Sequence, residues 1–460
     1  MSKETRELFV FAHIADRSAF RFVPAGRLHL TESIGAGLRN RELASSFAYG
    51  TQYLKRPYSI EVDPVSLSIK EPQEISGEML FPVNGLQEFG GIRDAAPDAW
   101  GRRVIEARRH VPANSLAEAD YLLDAGGDRV GALDVRTSTQ SPDSASASDM
   151  HSLGYVLQAA TAVEHGARIP ANLQSYLGAG PSAGGARPKA SVRDEEGALW
   201  LAKFPSKGDT FDVARTEFCT LELARRCGIQ VPEVRYMDVG GRPVMLIRRF
   251  DRYWAQVDTP PDESTELFDT RPAPGLSEGR LAYASGLTLV ACNEFESQSK
   301  SYRDLALAIH KYVHEPAIRQ NSEELFARMV FNIFVSNDDD HLRNHAFVRD
   351  PRSKGWALSP LYDVVPRPSV AHDRLLHLNV GDRGKLATLD NVMTQFGAFT
   401  ADRRSALHII RNIWSEVRQW KTSFEEHGAP GALIETLDSA FRSLQDIASP
   451  GLEAEIRHCP

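Results

Sequence analysis

A polar loop that directly follows an apolar run is the feature that most constrains this chain. Residues 336–345 read SNDDDHLRNH and follow the apolar run 329–335. Three consecutive carboxylates repel one another, so an ordinary helix surface gains nothing from them. An apolar helix that ends in a polar cluster is typical of a catalytic loop held on a core element. A solvated acidic turn that caps the helix is the alternative.

Two kinds of chemistry could use this cluster. Asp and His at short spacings can bind zinc, manganese or iron, which predicts a metal-dependent hydrolase. Protein-kinase catalytic loops instead contain an Asp that accepts the proton of the substrate hydroxyl, then four residues, then an Asn that binds magnesium. Asp339 and Asn344 have that spacing. The motif is short, so the choice depends on what else the chain contains.

The kinase interpretation needs further features, and the sequence contains them in the expected order. A Lys for the ATP phosphates is Lys203, which follows the strand-like residues 199–202. Glu217 lies on the next predicted helix, from which it would pair with Lys203 and orient it. A second carboxylate for magnesium is Asp363, which ends an apolar run where a strand could point it into the site. A metal hydrolase would explain the Asp and His cluster but none of these features.

A glycine-rich segment lies just ahead of the Lys203 hairpin. Residues 177–189 read LGAGPSAGGARPK. The segment matches neither the G-x-G-x-x-G pattern nor the Walker A pattern, so by itself it predicts only a flexible turn. By its position it could cover the ATP phosphates, with Ser182 placing a hydroxyl inside the loop.

Periodicity predicts an α+β chain in which a β-rich lobe precedes a larger helical lobe. Residues 190–204 predict a β-hairpin, and 234–237 and 243–249 predict two more strands. The polar, proline-rich residues 253–279 predict a loop. The clearest predicted helices cover residues 212–227, 304–313, 322–335, 401–417 and 430–447. The predicted segments are an N-terminal α/β unit (1–137), a Ser-rich linker (138–152), a small ATP-binding lobe (153–255) and a helical catalytic lobe (256–460).

Charge and cysteine content exclude several function classes. The chain of 460 residues has 53 Lys plus Arg and 61 Asp plus Glu, a net charge of −8. Such a surface is not built to neutralise DNA phosphates, so any contact with DNA would pass through a basic partner. Four cysteines cannot build a disulfide framework. Without an apolar run of about 18 residues or a signal peptide, we expect a cytoplasmic protein that does not enter a membrane.

Several motifs together resemble the HipA family, the serine/threonine-kinase toxins of bacterial type II toxin–antitoxin systems. The resemblance covers most of the chain, although no family motif can be placed in about the first 70 residues. It implies a kinase-like two-lobed fold with an additional N-terminal α/β unit. The matching motifs are DAWGR (98–102), DRVGAL (128–133), GGARPKA (184–190), AKFP (202–205), RFDR (249–252), NDDDHLRNH (337–345) and YD (362–363).

The resemblance also implies residue roles in an ATP- and Mg²⁺-dependent kinase. Asp339 would be the catalytic base, Asn344 and Asp363 the magnesium ligands, and Lys203 the phosphate-binding residue. Ser182 would be the autophosphorylated serine. Phosphorylation would add about −1.5 to −2 charge there and eject the loop from the ATP site. The remaining residues implied to bind nucleotide are Ala183, Gly184, Gly185, Ala186, Ile247, Arg248, Arg249, Phe250, His341 and Tyr362.

Partners also follow from the resemblance. A HipB-type antitoxin would hold the protein and connect it indirectly to DNA. The implied substrate is a translation-related protein such as an aminoacyl-tRNA synthetase. The alternatives are a catalytically decayed regulator that acts only through an antitoxin–DNA complex, and the Asp/His metal hydrolase.

Overall fold

The computed structural model describes residues 2–16, 18–34, 42–144, 148–173, 185–257 and 266–459. The chain divides into two compact units, each built from several chain segments. Unit 1 comprises Met1–Lys207, Leu246–Ala291 and Val348–Lys354, and unit 2 comprises Gly208–Met245, Cys292–Phe347 and Gly355–Pro460. The segment boundaries predicted at residues 137, 152 and 255 stay predictions.

Both helices and strands occur, as the sequence predicts. The described strands are β1 (Ser2–Asp16), β2 (Ala19–Ile34), β3 (Leu43–Tyr49), β4 (Leu133–Arg136), β5 (Ser148–Asp149), β6 (Lys189–Arg193), β7 (Leu199–Lys203), β8 (Val234–Asp238), β9 (Pro243–Arg248), β10 (Arg252–Ala255), β11 (Ser277–Arg280), β12 (Tyr283–Ser285), β13 (Ala346–Arg349) and β14 (Trp356–Leu358). The described α-helices are α1 (Thr51–Leu54), α2 (Pro72–Ile75), α3 (Gly90–Ala95), α4 (Ala99–Arg109), α5 (Glu118–Asp124), α6 (Leu153–Glu164), α7 (Val213–Arg226), α8 (Gly286–Leu289), α9 (Glu294–Ser297), α10 (Tyr302–Tyr312), α11 (Ile318–Val335), α12 (Leu389–Met393), α13 (Arg403–Val417), α14 (Trp420–Glu426), α15 (Gly431–Leu437), α16 (Leu444–Ile447) and α17 (Pro450–His458).

The first sheet of unit 1 has the strand order β3-β2-β1-β4. β1 and β2 form a long antiparallel hairpin, and Leu28 lies opposite Leu8 on one side and Phe47 on the other. Because side chains alternate along a strand, these residues share one face of the sheet. Leu28 and Phe47 are completely buried. This face therefore forms part of the core of unit 1.

The second sheet of unit 1 contains β5, β6, β7 and the end of β9, in that order. β6 and β7 form the predicted hairpin, with Lys189 opposite Lys203. The hairpin turns at Asp194, whose carboxylate accepts the backbone N–H of Ala198 at 2.8 Å. An Asp that bonds to backbone two to four residues ahead is a common way to close a turn. The start of β9 belongs to unit 2, where β8 is its neighbour.

Unit 2 is mostly helical, and α11 is buried at every residue from Arg328 to its end. Phe326, Phe331 and Phe334 of this helix have no exposed surface. A helix that is apolar on all sides must lie inside the structure, because no polar face is available for solvent. α7 begins at Asp212, whose carboxylate accepts the backbone N–H of Arg215 at 2.8 Å, as a helix N-cap does. The helices predicted at 212–227 and 322–335 are thus confirmed.

Two sequence predictions are wrong in detail. Residues 430–447 do not form one helix, because the chain leaves the helix after α15 and the ring of Phe441 stacks on Trp420 at a centroid distance of 3.8 Å. Residues 253–279 are not all loop, because β10 and β11 pair there. Both differences come from packing between distant residues, which local patterns do not record.

No α-helix in the described part of the chain combines the length and the apolar composition that a membrane crossing requires.

Candidate active site

The polar loop is delivered by the buried end of α11. The helix stops at Ser336, which has a left-handed backbone with φ of +53°. A residue in this conformation commonly ends a helix, because its backbone turns the chain away while the last carbonyls remain bonded. The Asn337 backbone N–H donates to the Asn332 carbonyl at 3.0 Å. The loop therefore begins from a fixed position on the core.

The three consecutive carboxylates have different surroundings. Asp338 and Asp339 are exposed, with 47% and 56% of their side chains accessible, and both form ion pairs with Arg367 at 3.0 and 2.9 Å. Asp340 is 1% exposed. Arg367 neutralises part of the charge repulsion that the sequence pattern implies. The loop thus presents two carboxylates to solvent and keeps the third inside.

Asp340 anchors the loop to the core of unit 2. Its Oδ2 accepts hydrogen bonds from Asn332 at 2.7 Å, from His345 at 3.0 Å and from the Tyr302 hydroxyl. Burial by itself raises the pKa of Asp340, but the charge and hydrogen bond of His345 and the Tyr302 hydroxyl outweigh it and lower the pKa below its ordinary value. Asp340 therefore stays ionised and holds the loop in place.

Sequence reasoning did not find this anchor. Nothing in three identical neighbouring residues distinguishes the buried carboxylate from the two exposed ones. The available signal was the sequence distance of five residues from Asp340 to His345, together with Asn332 inside an otherwise apolar run. The metal-hydrolase hypothesis receives little support, because Asp340 and His345 are bonded to each other. Among the residues described, no group of three or more His, Cys, Asp or Glu side chains is placed to hold a metal ion.

Asn344 lies beside Asp339 in space. Its side-chain Nδ2 donates to the Asp339 backbone carbonyl at 3.0 Å, and the His341 backbone N–H donates to the same oxygen at 2.8 Å. Leu342–Asn344 forms one 3₁₀ turn between them. The four residues between Asp339 and Asn344 therefore fold back, and the two predicted site residues are neighbours in space.

Asp363 is linked to the same loop through its neighbour in sequence. The Tyr362 hydroxyl donates to the Arg343 carbonyl at 2.7 Å. The guanidinium of Arg328 on α11 donates to the Ser359 carbonyl at 2.6 Å, which fixes the segment leading to Asp363. The predicted strand position is wrong, since β14 ends at Leu358 and Asp363 lies beyond it.

Asp363 also has an unusual backbone conformation. Its φ is +60°, which is the left-handed region that side chains other than glycine rarely adopt. Such strain is found where the surrounding structure requires one particular direction of the chain. Asp363 and Asn344 both offer oxygen atoms, which are the ligands that Mg²⁺ prefers. The donor set of these two residues fits a magnesium ion.

The other residues implied to bind nucleotide in unit 2 are His341 and Tyr362. His341 is half-buried, and its ring meets the ring of His377 edge-on at 5.7 Å. Tyr362 is also half-buried and holds the loop through Arg343. Both residues thus belong to the neighbourhood of Asn344. Glu217 is buried on α7, and its pairing with Lys203 stays a prediction.

Lys203 belongs to unit 1 and ends β7. Its side chain is half-buried, whereas Ala202 before it and Phe204 after it are fully buried. The Phe204 backbone N–H donates to the Pro188 carbonyl at 2.9 Å. The end of the Lys203 strand therefore lies against the exit of the glycine-rich segment.

The glycine-rich segment is described only from Gly185 onward, so Ser182, Ala183 and Gly184 lie outside the described residues. Gly185 has φ of +91°, which only glycine adopts without strain, and Ala186 follows it on the surface. The Trp100 indole donates to the Lys189 carbonyl at 2.8 Å. The ammonium of Lys189, itself buried, pairs with Asp98 at 3.0 Å. The DAWGR motif thus anchors the exit of this segment.

Residues 247–250 combine a strand end with a buried charge network. Ile247 and Arg248 end β9, Phe250 is half-buried, and the Arg249 backbone N–H donates to the Leu199 carbonyl at 3.0 Å. The Asp251 carboxylate accepts hydrogen bonds from the guanidinium groups of Arg249 at 2.6 Å and Arg252 at 2.7 Å.

Asp251 also accepts the backbone N–H of Gly131 at 2.7 Å, and the Arg249 guanidinium donates to the Arg129 carbonyl at 3.4 Å. Burial raises the pKa of Asp251, but its two guanidinium partners lower it far below its ordinary value. The motifs 128–133 and 249–252 therefore form one buried network. The charged side chains of Arg249 and Arg252 therefore stabilise the fold.

The structure brings the predicted residues together in two groups. Unit 2 gathers the predicted base, both predicted magnesium ligands, His341 and Tyr362, and unit 1 gathers Lys203, the glycine-rich exit and residues 247–250. Arg367 and the Asp340 anchor are the residues that sequence reasoning missed.

Comparisons with known proteins identify a family for this chain and several relatives. The model of the HipA-like C-terminal domain family matches residues 181–421, which is more than half of the chain. A Haemophilus influenzae protein named "Putative kinase" is 26% identical over 208 residues, covering 43% of this chain and 55% of the relative. "Putative kinase Y4mE" of Sinorhizobium fredii is 24% identical over 383 residues, covering 78% of this chain and 80% of the relative. The chain thus matches about half the length of the first relative.

A solved structure shares the fold. It is the Shewanella oneidensis toxin–antitoxin complex of HipA, HipB and operator DNA, with a TM-score of 0.59, 14% sequence identity and coverage of 98% of this chain and 94% of that chain. The expected mixed helix and sheet fold and the family resemblance are both confirmed. On the match to residues 181–421, this chain belongs to the HipA-like C-terminal domain family.

Proposed function

We propose that this protein is an ATP- and Mg²⁺-dependent serine/threonine protein kinase. The observation that carries the proposal is the position of Asp339, an exposed carboxylate on a loop that Asp340 anchors, with Asn344 folded against the Asp339 backbone carbonyl. An exposed carboxylate can receive a protein hydroxyl, and the adjacent amide oxygen can hold a divalent metal. Names of relatives that contain the word kinase support the same reaction class.

In the proposed reaction, a substrate serine or threonine hydroxyl gives its proton to a carboxylate oxygen of Asp339. A bond forms between the hydroxyl oxygen and the γ-phosphorus of ATP. The bond from this phosphorus to the β,γ-bridging oxygen breaks, and its electron pair leaves with ADP. Lys203 would hold the ATP phosphates. Bound Mg²⁺ would neutralise charge on the phosphates, with Asn344 and Asp363 as its protein ligands.

The adenine base would be bound along residues 247–250, mainly through backbone groups. Because the Arg249 side chain is engaged by Asp251, a contact of this residue with adenine would have to use its backbone groups. His341 and Tyr362 would lie beside the nucleotide, and Ala183, Gly184, Gly185 and Ala186 would cover its phosphates.

The direct test is an ATP-dependent mass gain. The purified chain is incubated with ATP and Mg²⁺, with and without candidate substrate proteins, and intact masses are measured. A gain of one phosphoryl group that disappears in Asp339→Asn supports a kinase. No gain on any protein, together with normal binding of an antitoxin–DNA complex, would favour the decayed regulator instead.

Autophosphorylation of Ser182 is part of the proposal. The Ser182→Ala variant should lose the mass gain on the chain itself and keep transfer to a substrate protein. Peptide mapping that finds the phosphate elsewhere would reassign the site.

We also propose a HipB-type antitoxin as partner, contact with DNA only through it, a cytoplasmic location and an aminoacyl-tRNA synthetase as a candidate substrate. The support for the partner is the fold shared with a chain whose structure was solved with HipB and operator DNA. Phosphoproteomics of cells that express the wild type or Asp339→Asn would identify the substrate. An antitoxin from the same operon that fails to bind the purified chain would contradict the partner.

A further inference from the structure

A small cavity in unit 1 is lined by cations, and none of its lining residues is one that we propose to bind ATP, Mg²⁺ or a protein substrate. Its volume is about 60 Å³. Arg280, Arg349 and Lys354 line it together with His13 and Tyr253, and none of its fourteen described lining residues is Asp or Glu. Arg280 and Arg349 are half-buried and Lys354 is exposed at the edge. Three cations without a carboxylate in the same wall repel one another, and each half-buried guanidinium is also partly desolvated, so the cavity is electrostatically unbalanced.

Arg280 is the most deeply placed of these cations. It lies opposite Arg252 in the β10–β11 pair, an arrangement of like charges that destabilises a sheet unless another group offsets it. Its Nη1 donates to the Gly127 carbonyl at 2.6 Å, but its Nε is buried and has no hydrogen-bond partner among the described residues. Burial and the charge of Arg252 lower the pKa of Arg280 to about 9. It remains a cation at neutral pH, although an incompletely satisfied one.

The acidic groups closest to Arg280 are used elsewhere. Glu278 pairs with Arg193 at 2.7 Å, and Asp128 also pairs with Arg193 at 3.1 Å. Asp251 is engaged by Arg249 and Arg252. The nearby carboxylates therefore stabilise other guanidinium groups, and among the described residues none is left to pair with Arg280.

The other cations on the cavity wall are similarly unpaired. Within the described chain, the side chains of Arg349 and Lys354 have no hydrogen bond or ion pair; Lys354 instead lies over the Tyr58 ring at 5.8 Å. Burial lowers the pKa of Arg349, and Glu61 only partly offsets this. His13 has a buried Nδ1 without a partner in the described residues. Burial, Arg280 and Arg252 hold the pKa of His13 well below its usual range, so it is neutral.

We propose that this cavity binds a phosphate-sized oxyanion, held by Arg280, Arg349 and Lys354. Arginine guanidinium groups match tetrahedral oxyanions in geometry as well as charge. A water molecule needs about 10–15 Å³ of cavity volume, so the cavity has room for roughly four or more waters, close to the five heavy atoms of phosphate. The ligand is inorganic phosphate or the phosphoryl end of a small metabolite.

The experiment measures stabilisation by inorganic phosphate and by glycerol phosphate, each against potassium chloride at equal ionic strength. Thermal melting of the full chain is followed over a concentration series, since a ligand that binds the native state raises the melting temperature. We expect phosphate to raise it in the wild type. Arg349→Met and Lys354→Met should each weaken the apparent affinity by about tenfold, the loss of one charge-assisted hydrogen bond. Arg280→Met is a third, independent variant, in which the apparent affinity for phosphate should also fall.

Arg352→Met is the matched control, because Arg352 is close in sequence to both Arg349 and Lys354 but pairs with Asp350 at 2.6 Å and does not line the cavity. Phosphate should raise the melting temperature of Arg352→Met as much as it raises that of the wild type. Lys203→Ala should also leave the response unchanged, which separates this site from the proposed ATP site. Stabilisation by only one of the two phosphate compounds would identify the source of the phosphoryl group. The proposal would be overturned if phosphate still raised the melting temperature of all three cavity variants as in the wild type, or if it no longer raised that of Lys203→Ala.

Discussion

The side-chain amide of Asn344 donates a hydrogen bond to the backbone carbonyl of Asp339 across 3.0 Å. The amide nitrogen is thereby committed to the loop, and the amide oxygen is the atom that could bind a metal. One bond thus sets the distance between the proposed base and one proposed magnesium ligand. Positioning of this kind is the main contribution a protein makes to phosphoryl transfer.

The two exposed carboxylates of the loop provide a matched pair of variants. Asp339→Asn should abolish phosphoryl transfer and leave ATP binding nearly unchanged, because an amide cannot accept the hydroxyl proton. Asp338→Asn should keep transfer within about threefold of the wild type, since the general-base contribution of about 10²–10⁴ belongs to the neighbour. Both rates are measured by single-turnover transfer of labelled phosphate. Equal losses in the two variants would remove Asp339 from the base role.

Lys203 should affect nucleotide binding more than any exposed lysine nearby. Lys203→Ala is expected to weaken ATP binding by about tenfold or more, because a charge-assisted contact to phosphate is worth about 1.5–3 kcal/mol. Lys207→Ala is the control, since Lys207 is exposed four residues further along the chain. Calorimetric titration with a non-hydrolysable ATP analogue gives both affinities. An unchanged affinity in Lys203→Ala would contradict the phosphate contact.

The Asp340 anchor predicts a large loss of stability. Asp340→Asn places an amide where three donors now meet one carboxylate oxygen, and should lower the free energy of unfolding by about 3–5 kcal/mol. Urea unfolding followed by circular dichroism measures this value. Asp339→Asn, at an exposed position, should change stability by less than about 1 kcal/mol. A loss below 1 kcal/mol in Asp340→Asn would show that the buried network is not essential.

Asp340 should also make the free energy of unfolding depend on pH. The pKa of Asp340 is lower in the folded chain than in the unfolded chain, so ionised Asp340 stabilises the fold above the unfolded pKa of about 3.9. This contribution is lost as the pH falls below that value towards the folded pKa. The wild type should therefore lose more stability than Asp340→Asn between about pH 4 and pH 2. Parallel stability curves for the two proteins would contradict the lowered pKa.

Removing one partner of the buried pair of Asp98 and Lys189 should lower the free energy of unfolding more than neutralising both partners. Lys189→Met leaves the Asp98 carboxylate buried without its cation, for an expected loss of about 3–5 kcal/mol. Asp98→Asn in the same chain removes that charge and keeps an oxygen for the α4 N-cap, where Gly101 N–H donates at 2.7 Å. The double variant should thus be more stable than Lys189→Met alone. A double variant that is less stable would show that the two residues act independently.

The sequence alone was sufficient for the order of the motifs, the apolar helix before the loop, the β6–β7 hairpin and the family resemblance. These features are local or depend only on chain order, because periodicity and residue spacing are properties of neighbouring residues. Asp339 and Asn344 were found in this way, since a turn of four residues keeps both ends of the motif close together.

Only the tertiary structure distinguished Asp340 from Asp338 and Asp339. The difference between these identical side chains is set by burial and by partners from α10 and α11, which lie up to 38 residues away in sequence. The pairing of Arg367 with two loop carboxylates, the network that joins motifs 128–133 and 249–252, and the cation-lined cavity have the same origin. Each of these features depends on which groups, distant in sequence, share a low-dielectric environment. The electrostatic energy there is set by the distance between the groups in space, which cannot be read directly from the sequence.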